Sequence, residues 1–120
     1  MNVKKVLLVE DYVNLQIALA DCIKDIFGSN TVVLVAGTLL EAENIFKDQA
    51  DEIDFILMDT SLGKKVTTFD FTSRISKIFK RPIVAISTND DNRKKMIQLG
   101  CTHECVKYNL REFLKSWKNQ

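Results

Sequence analysis

The chain has 120 residues, with 17 Lys and Arg against 16 Asp and Glu, and 46% of its residues are apolar. That length fits one domain, residues 1–120, around one hydrophobic core. The formal charge of +1 gives no bulk attraction to nucleic acid or to an anionic membrane, so neither is an expected partner. No apolar run approaches the roughly 20 residues of a membrane span. The start, which leads into VLLVE, lacks the apolar stretch and cleavage site of a secretory signal. Three cysteines, Cys22, Cys101 and Cys105, therefore read as reduced thiols of a cytoplasmic protein, acting as small buried apolar groups.

In chain order, Lys4 to Val9 is a nearly continuous apolar run, as in a strand covered on both faces. From Tyr12 to Phe27 the apolar residues recur at helical spacing, and Gly28 stops the helix. Thr31 to Ala36 is a second strand, rich in β-branched residues. Thr38 with Glu41 three residues on forms a capping box, and Leu39, Leu40, Ala42, Ile45 and Phe46 mark the helix behind it. Asp54 to Met58 is a third strand ending on Asp59, followed by a loop of about eight residues and a helix carrying Phe69, Phe71, Ile75, Ile78 and Phe79. Pro82 opens a fourth strand, Ile83 to Ile86, where a missing N–H costs little. Asp90 to Leu99 is a shorter helix stopped by Gly100, His103 to Lys107 a weak fifth strand, and Asn109 the expected cap of a last helix carrying Leu110, Phe113, Leu114 and Trp117.

Five strand–helix units with short connections predict an α/β, doubly wound parallel five-stranded sheet in three layers, with helices on both faces. In such sheets ligands bind beyond the carboxyl ends of the strands. Those ends carry Glu10 and Asp11, then Asp59, then Ser87 and Thr88, then Lys107. Clustered carboxylates repel unless a cation compensates. Three carboxylates without a neighbouring arginine suit a hard divalent cation such as Mg²⁺, which accepts one or two protein carboxylates and keeps several waters. Ser87 and Lys107 are then left to face an anion held with the metal.

The segments VLLVED (Val6–Asp11), DFILMDTSLG (Asp54–Gly63), RPIVAIS (Arg81–Ser87) and GCTHECVK (Gly100–Lys107) together resemble the receiver domain of two-component response regulators, over essentially the whole chain. The resemblance implies a flavodoxin-like (βα)5 fold with strand order 2-1-3-4-5. It implies that Asp59 is the nucleophile that takes a phosphoryl group from a sensor histidine kinase or phosphotransfer protein. It places Mg²⁺ on Asp11, on Glu10 through water, on Asp59 and on the main-chain carbonyl of Ser61. Ser87 would bond the phosphoryl oxygens, and Lys107 would pair with Asp59 and then with the phosphate. Such a protein catalyses its own phosphotransfer and dephosphorylation and is not a metabolic enzyme. It acts as a monomer or a phosphorylation-linked dimer, through a downstream protein or output domain outside these 120 residues.

Several positions depart from that pattern. Tyr108 follows Lys107 where the family has a proline after a cis bond, which predicts a differently arranged loop. Glu104 replaces the usual aromatic three residues before Lys107, and a carboxylate must be paired or protonated to occupy a buried pocket. Thr67 and Thr68 stand where Asp-Gly would fall, and Lys64 and Lys65 lie near the site entrance. These departures motivate a second reading, a pseudo-receiver that binds partners without phosphorylation. A phosphatase with a nucleophilic Asp is disfavoured, since Asp59-Thr60-Ser61 lacks a second Asp. Alternating Cys101, His103 and Cys105 would share a face of a strand, but with no second histidine they make a poor zinc set. Arg93, Lys94 and Lys95 read as a solvated basic turn or a partner-docking patch. Ser61 and Asn89 flank the expected path of a water attacking the phosphorylated Asp59.

Overall fold

The computed structural model describes residues 2–120. The element order is β1 (Lys5–Val9), α1 (Val13–Phe27), β2 (Val32–Ala36), α2 (Leu39–Gln49), β3 (Phe55–Asp59), α3 (Phe69–Ser76), β4 (Ile83–Ile86), α4 (Asp90–Gln98), β5 (His103–Cys105) and α5 (Leu110–Lys118), with 3-10 turns at Ala50–Glu52 and Lys107–Asn109. All five strands are parallel, in the order β2-β1-β3-β4-β5, which is the flavodoxin-like arrangement expected from the sequence.

The period-2 alternation of the strands builds two cores, one on each face of the sheet. Leu7, Val9, Ile56, Met58, Ile83 and Ala85 point toward α2, α3 and α4, where they meet Ala42, Phe46, Phe71, Ile75 and Met96. Their neighbours Val6, Leu8, Phe55, Leu57, Val84 and Ile86 point the other way, onto Leu19, Ile23 and Ile26 of α1 and Leu114 and Trp117 of α5. The central strands are buried on both faces, which is why they read as continuous apolar runs. Thr38 caps α2 as expected: its hydroxyl accepts from Glu41 N at 3.1 Å, and Glu41 Oε1 accepts from Gly37 N at 3.0 Å.

Four details differ from the sequence reading. The third helix ends at Ser76, so Ile78 is exposed and only Phe79 returns to the core. The fifth strand stops at Cys105, and Lys107 instead opens a 3-10 turn. Asn109 belongs to that turn, with φ −101° and ψ 14°, so the chain enters α5 without a side-chain cap. Cys101 packs in the core under α2 to α4, whereas Cys105 packs on the opposite face, so the two thiols do not share a face with His103 between them. All three cysteines are buried and free.

Gly100 joins α4 to β5 at φ +122°, and a β-carbon there would lie 2.3 Å from Ser76 Oγ. Both the backbone conformation and the contact exclude larger residues. Gly100→Ala should destabilise the chain by about 2–4 kcal/mol, measured as a lower urea midpoint with an unchanged slope.

Candidate functional site

Because every strand runs the same way, the residues just past β1, β3 and β4 meet on one rim. Glu10 continues the ladder of β1, its N–H donating to Ala36 O at 2.9 Å, and this draws its side chain into the protein, where it is 1% exposed. Asp11 stands one residue further out and is exposed. Asp59 is the last residue of β3 and is 5% exposed. Carboxylate oxygens of Glu10, Asp11 and Asp59 all lie within 4.8 Å of one another. Lys107 reaches this cluster from its 3-10 turn despite lying outside the strand. Its Nζ is 2.9 Å from Asp59 Oδ2, a hydrogen bond, and 2.9 Å from Glu10 Oε1, an ion pair without hydrogen-bond alignment.

The electrostatics follow from this packing. Burial pushes the Asp59 carboxyl up to about 6; the Lys107 bond opposes that rise, and the neighbouring Glu10 charge adds to it. For Lys107, burial favours the neutral amine, but its contacts with Glu10 and Asp59 outweigh burial and hold it above the usual lysine range. One ammonium thus pairs with two of the three clustered carboxylates. Glu10 Oε1 is buried and has no hydrogen bond, while Oε2 accepts from Tyr12 N at 3.0 Å. A buried carboxylate oxygen whose one partner is the Lys107 ammonium, beside an open Asp11 and a second buried carboxylate, is a donor set that fits a hard, partly hydrated divalent cation. Among the described residues this is the one cluster of acidic, His or Cys groups able to hold a metal.

The loop after Asp59 folds back on itself. Leu62 N donates to Val66 O at 2.8 Å and Thr68 N to Thr60 O at 3.1 Å, so Ser61 pairs with Thr67 but its carbonyl stands outside the ladder. The buried Thr68 hydroxyl donates to Asp59 O at 2.7 Å and so fixes the backbone that carries the carboxylate. In the sequence Thr68 stands out only as a departure from the receiver pattern. Lys64 and Lys65 are exposed at the tip of this loop.

Ser87 is buried at the end of β4, whereas Thr88 is exposed. The Ser87 hydroxyl accepts from Asn89 N at 3.0 Å, and the Asn89 side chain is committed to capping α4, accepting from Asn92 N at 2.9 Å. Arg93 is not on a solvated face. It is 6% exposed, donating from Nη1 to Ser87 O at 2.7 Å, from Nε to Glu104 Oε1 at 3.2 Å, and from Nη2 to Asp90 Oδ1. Lys94 and Lys95 are the exposed members of that basic run. The signal available in the sequence was Met96, three residues on, which places Arg93 on the inward stripe of α4.

A five-stranded parallel sheet in the order β2-β1-β3-β4-β5 is also the fold of receiver domains among solved structures. No protein-family model matches the sequence, and no curated protein matches it. Among solved structures, NtrX from Brucella abortus superposes with a TM-score of 0.80 at 20% identity, over 98% of this chain and 26% of that one. The signal receiver domain of the DNA-binding response regulator merR from Colwellia psychrerythraea 34H gives 0.78 at 17% identity, over 98% and 99% of the two chains. Vibrio cholerae chemotaxis protein CheY4 gives 0.74 at 24% identity, over 98% of each. The chain therefore has the receiver-domain fold, and it spans about a quarter of the NtrX chain, 26%. No helix among the described residues is long and apolar enough to cross a membrane.

The raised Asp59 value sets a pH dependence. Its folded pKa of about 6 lies above the ordinary 3.8, so between those values the folded chain holds a proton that the unfolded chain has lost. Asp59 costs no stability below that window and its full penalty above it. Asp59→Asn should raise Tm by about 3–6 °C at pH about 7.5, roughly 1 kcal/mol, with the difference vanishing near pH 4. Millimolar Mg²⁺ should raise the wild-type Tm more than that of the variant.

Proposed function

We propose that this protein is a phosphoaccepting receiver of two-component signalling: Asp59 takes a phosphoryl group from a histidine kinase or phosphotransfer protein, in the cytoplasm, and passes the signal to a downstream protein or domain. The observation that carries this reading is the Lys107 ammonium set 2.9 Å from both Asp59 and Glu10, with Asp11 open beside them.

In the transfer, an Asp59 carboxylate oxygen attacks phosphorus, the bond from phosphorus to the donor's nitrogen or oxygen breaks, and the leaving group takes up a proton. Glu10, Asp11, Asp59 and the free Ser61 carbonyl would hold Mg²⁺, which when bound supplies charge neutralisation for the phosphoryl oxygens. Lys107 already sits on the reacting carboxylate and stays on the acyl phosphate as its counter-charge. The Ser87 hydroxyl, which now only accepts a bond, keeps its proton free to donate to a phosphoryl oxygen. Ser61 governs water access to that phosphate. Asn89, occupied in capping α4, contributes to the lifetime only if the cap opens.

The second reading, a phosphorylation-independent interaction module, is favoured by one observation: Ser87 is held at its hydroxyl by Asn89 N and at its carbonyl by Arg93 Nη1. The two separate on incubation with acetyl phosphate and Mg²⁺. Phosphoacceptance predicts a mass gain of one phosphoryl group, abolished by EDTA and by Asp59→Asn. Lys107→Met should slow labelling by about 10²-fold or more. A chain that gains no mass, or gains it equally in Asp59→Asn, refutes the phosphoaccepting reading in favour of the module.

A further inference from the structure

Arg93 is a buried cation that the phosphotransfer chemistry does not use. It comes from α4, yet its three nitrogens serve three different elements: the carbonyl of Ser87 at the end of β4, the carboxylate of Glu104 on β5, and Asp90 at the start of its own helix. Its side chain is 8% exposed and that of Glu104 40%. The Ser87 backbone is held at both ends, since its N–H donates to Cys105 O at 3.3 Å while its carbonyl takes the 2.7 Å bond from Arg93. Ser87 is also the residue whose hydroxyl must turn toward a phosphoryl group on Asp59.

These constraints compete. A planar guanidinium meets several acceptors only in one orientation. Moving the segment from Ser87 to Asn89 toward Asp59 displaces the carbonyl that anchors Nη1. The fork then leaves register with Glu104 as well, because a rigid group cannot follow one acceptor and keep the others. Glu104 is wet enough to lose its partner without burying a bare charge. We propose, resting on the phosphoacceptor reading, that Arg93 is a positioning residue that holds Ser87 in its unphosphorylated arrangement. The Arg93–Glu104 pair is broken when Asp59 carries a phosphoryl group, so a change at the carboxyl rim becomes a change of charge pairing at the α4–β5 edge. Glu104 is then not a failed aromatic position but one half of the reporter.

A contact present in one state only must bias the equilibrium between the two. Weakening the latch therefore tightens binding of a phosphoryl mimic. The test uses the full chain labelled with ¹⁵N, titrated with beryllofluoride and Mg²⁺. The expected result is loss of exchange protection and a shift of the Arg93 Nε–H resonance as the amides of Thr60, Ser61 and Ser87 saturate. Glu104→Gln, at a half-exposed position that should not impair folding, should bind beryllofluoride about 2–5-fold more tightly than wild type. A role confined to stability would change Tm and leave both readouts alone. Saturating shifts at Thr60, Ser61 and Ser87 with a static Arg93 Nε–H, or with unchanged affinity in Glu104→Gln, overturn the latch alone. No shift at those three amides overturns the phosphoacceptor reading and the latch with it.

Discussion

Two carboxylates, Glu10 and Asp59, are buried side by side with one ammonium, Lys107, between them. The rest of the site is organised by that shortage of positive charge. Burial raises the proton affinity of Asp59, and the neighbouring Glu10 charge adds to the rise. The same crowding of acids makes the rim a cluster that could hold a cation. A sheet of parallel strands is what makes so costly an arrangement possible. It delivers acids from separate strands to one edge and encloses them with cores on both faces. The energy lost at the rim is offset by apolar burial everywhere else in the sheet.

Where the sheet ladder runs out, one hydroxyl and one guanidinium take over the backbone of the rim. Thr68 bonds the Asp59 carbonyl, and Arg93 bonds the Ser87 carbonyl. Both carbonyls lie at strand ends, where the ladder runs out and a buried acceptor needs another donor. Supporting side chains of this kind decide how freely Asp59 and Ser87 can move. Because Arg93 shares its donors with Glu104 and Asp90, the freedom of Ser87 depends on charges on two other elements.

Most of the fold was legible in the sequence because the relevant signals are local and periodic. Continuous apolar runs marked β1, β3 and β4, helical spacing marked α1 and α2, and the Thr38 capping box marked the start of α2. The misreadings fell where local pattern and tertiary constraint diverge. Lys107 follows the fifth strand in sequence, but the chain turns after Cys105 to carry the ammonium back to Asp59. Cys101 and Cys105 share a parity that only a continuous strand would turn into a shared face. The charge of Arg93 masked its place on the inward stripe of α4, since a run of three cations looks solvated unless the partner carboxylate is known.

The sequence by itself determined the class of fold, the carboxyl ends of the first four strands, and the acids and hydroxyl that stand at or just past them. Each of these depends on residue type and on spacing along one element. The tertiary structure alone decided which groups touch: that Lys107 serves Glu10 as well as Asp59, that Thr68 clamps the backbone of β3, and that Arg93 joins Ser87 to Glu104. Those contacts join residues 6 to 97 positions apart, so no periodicity records them. They arise because burial forces each polar group to find a partner in the space the packed sheet leaves, wherever in the chain that partner lies.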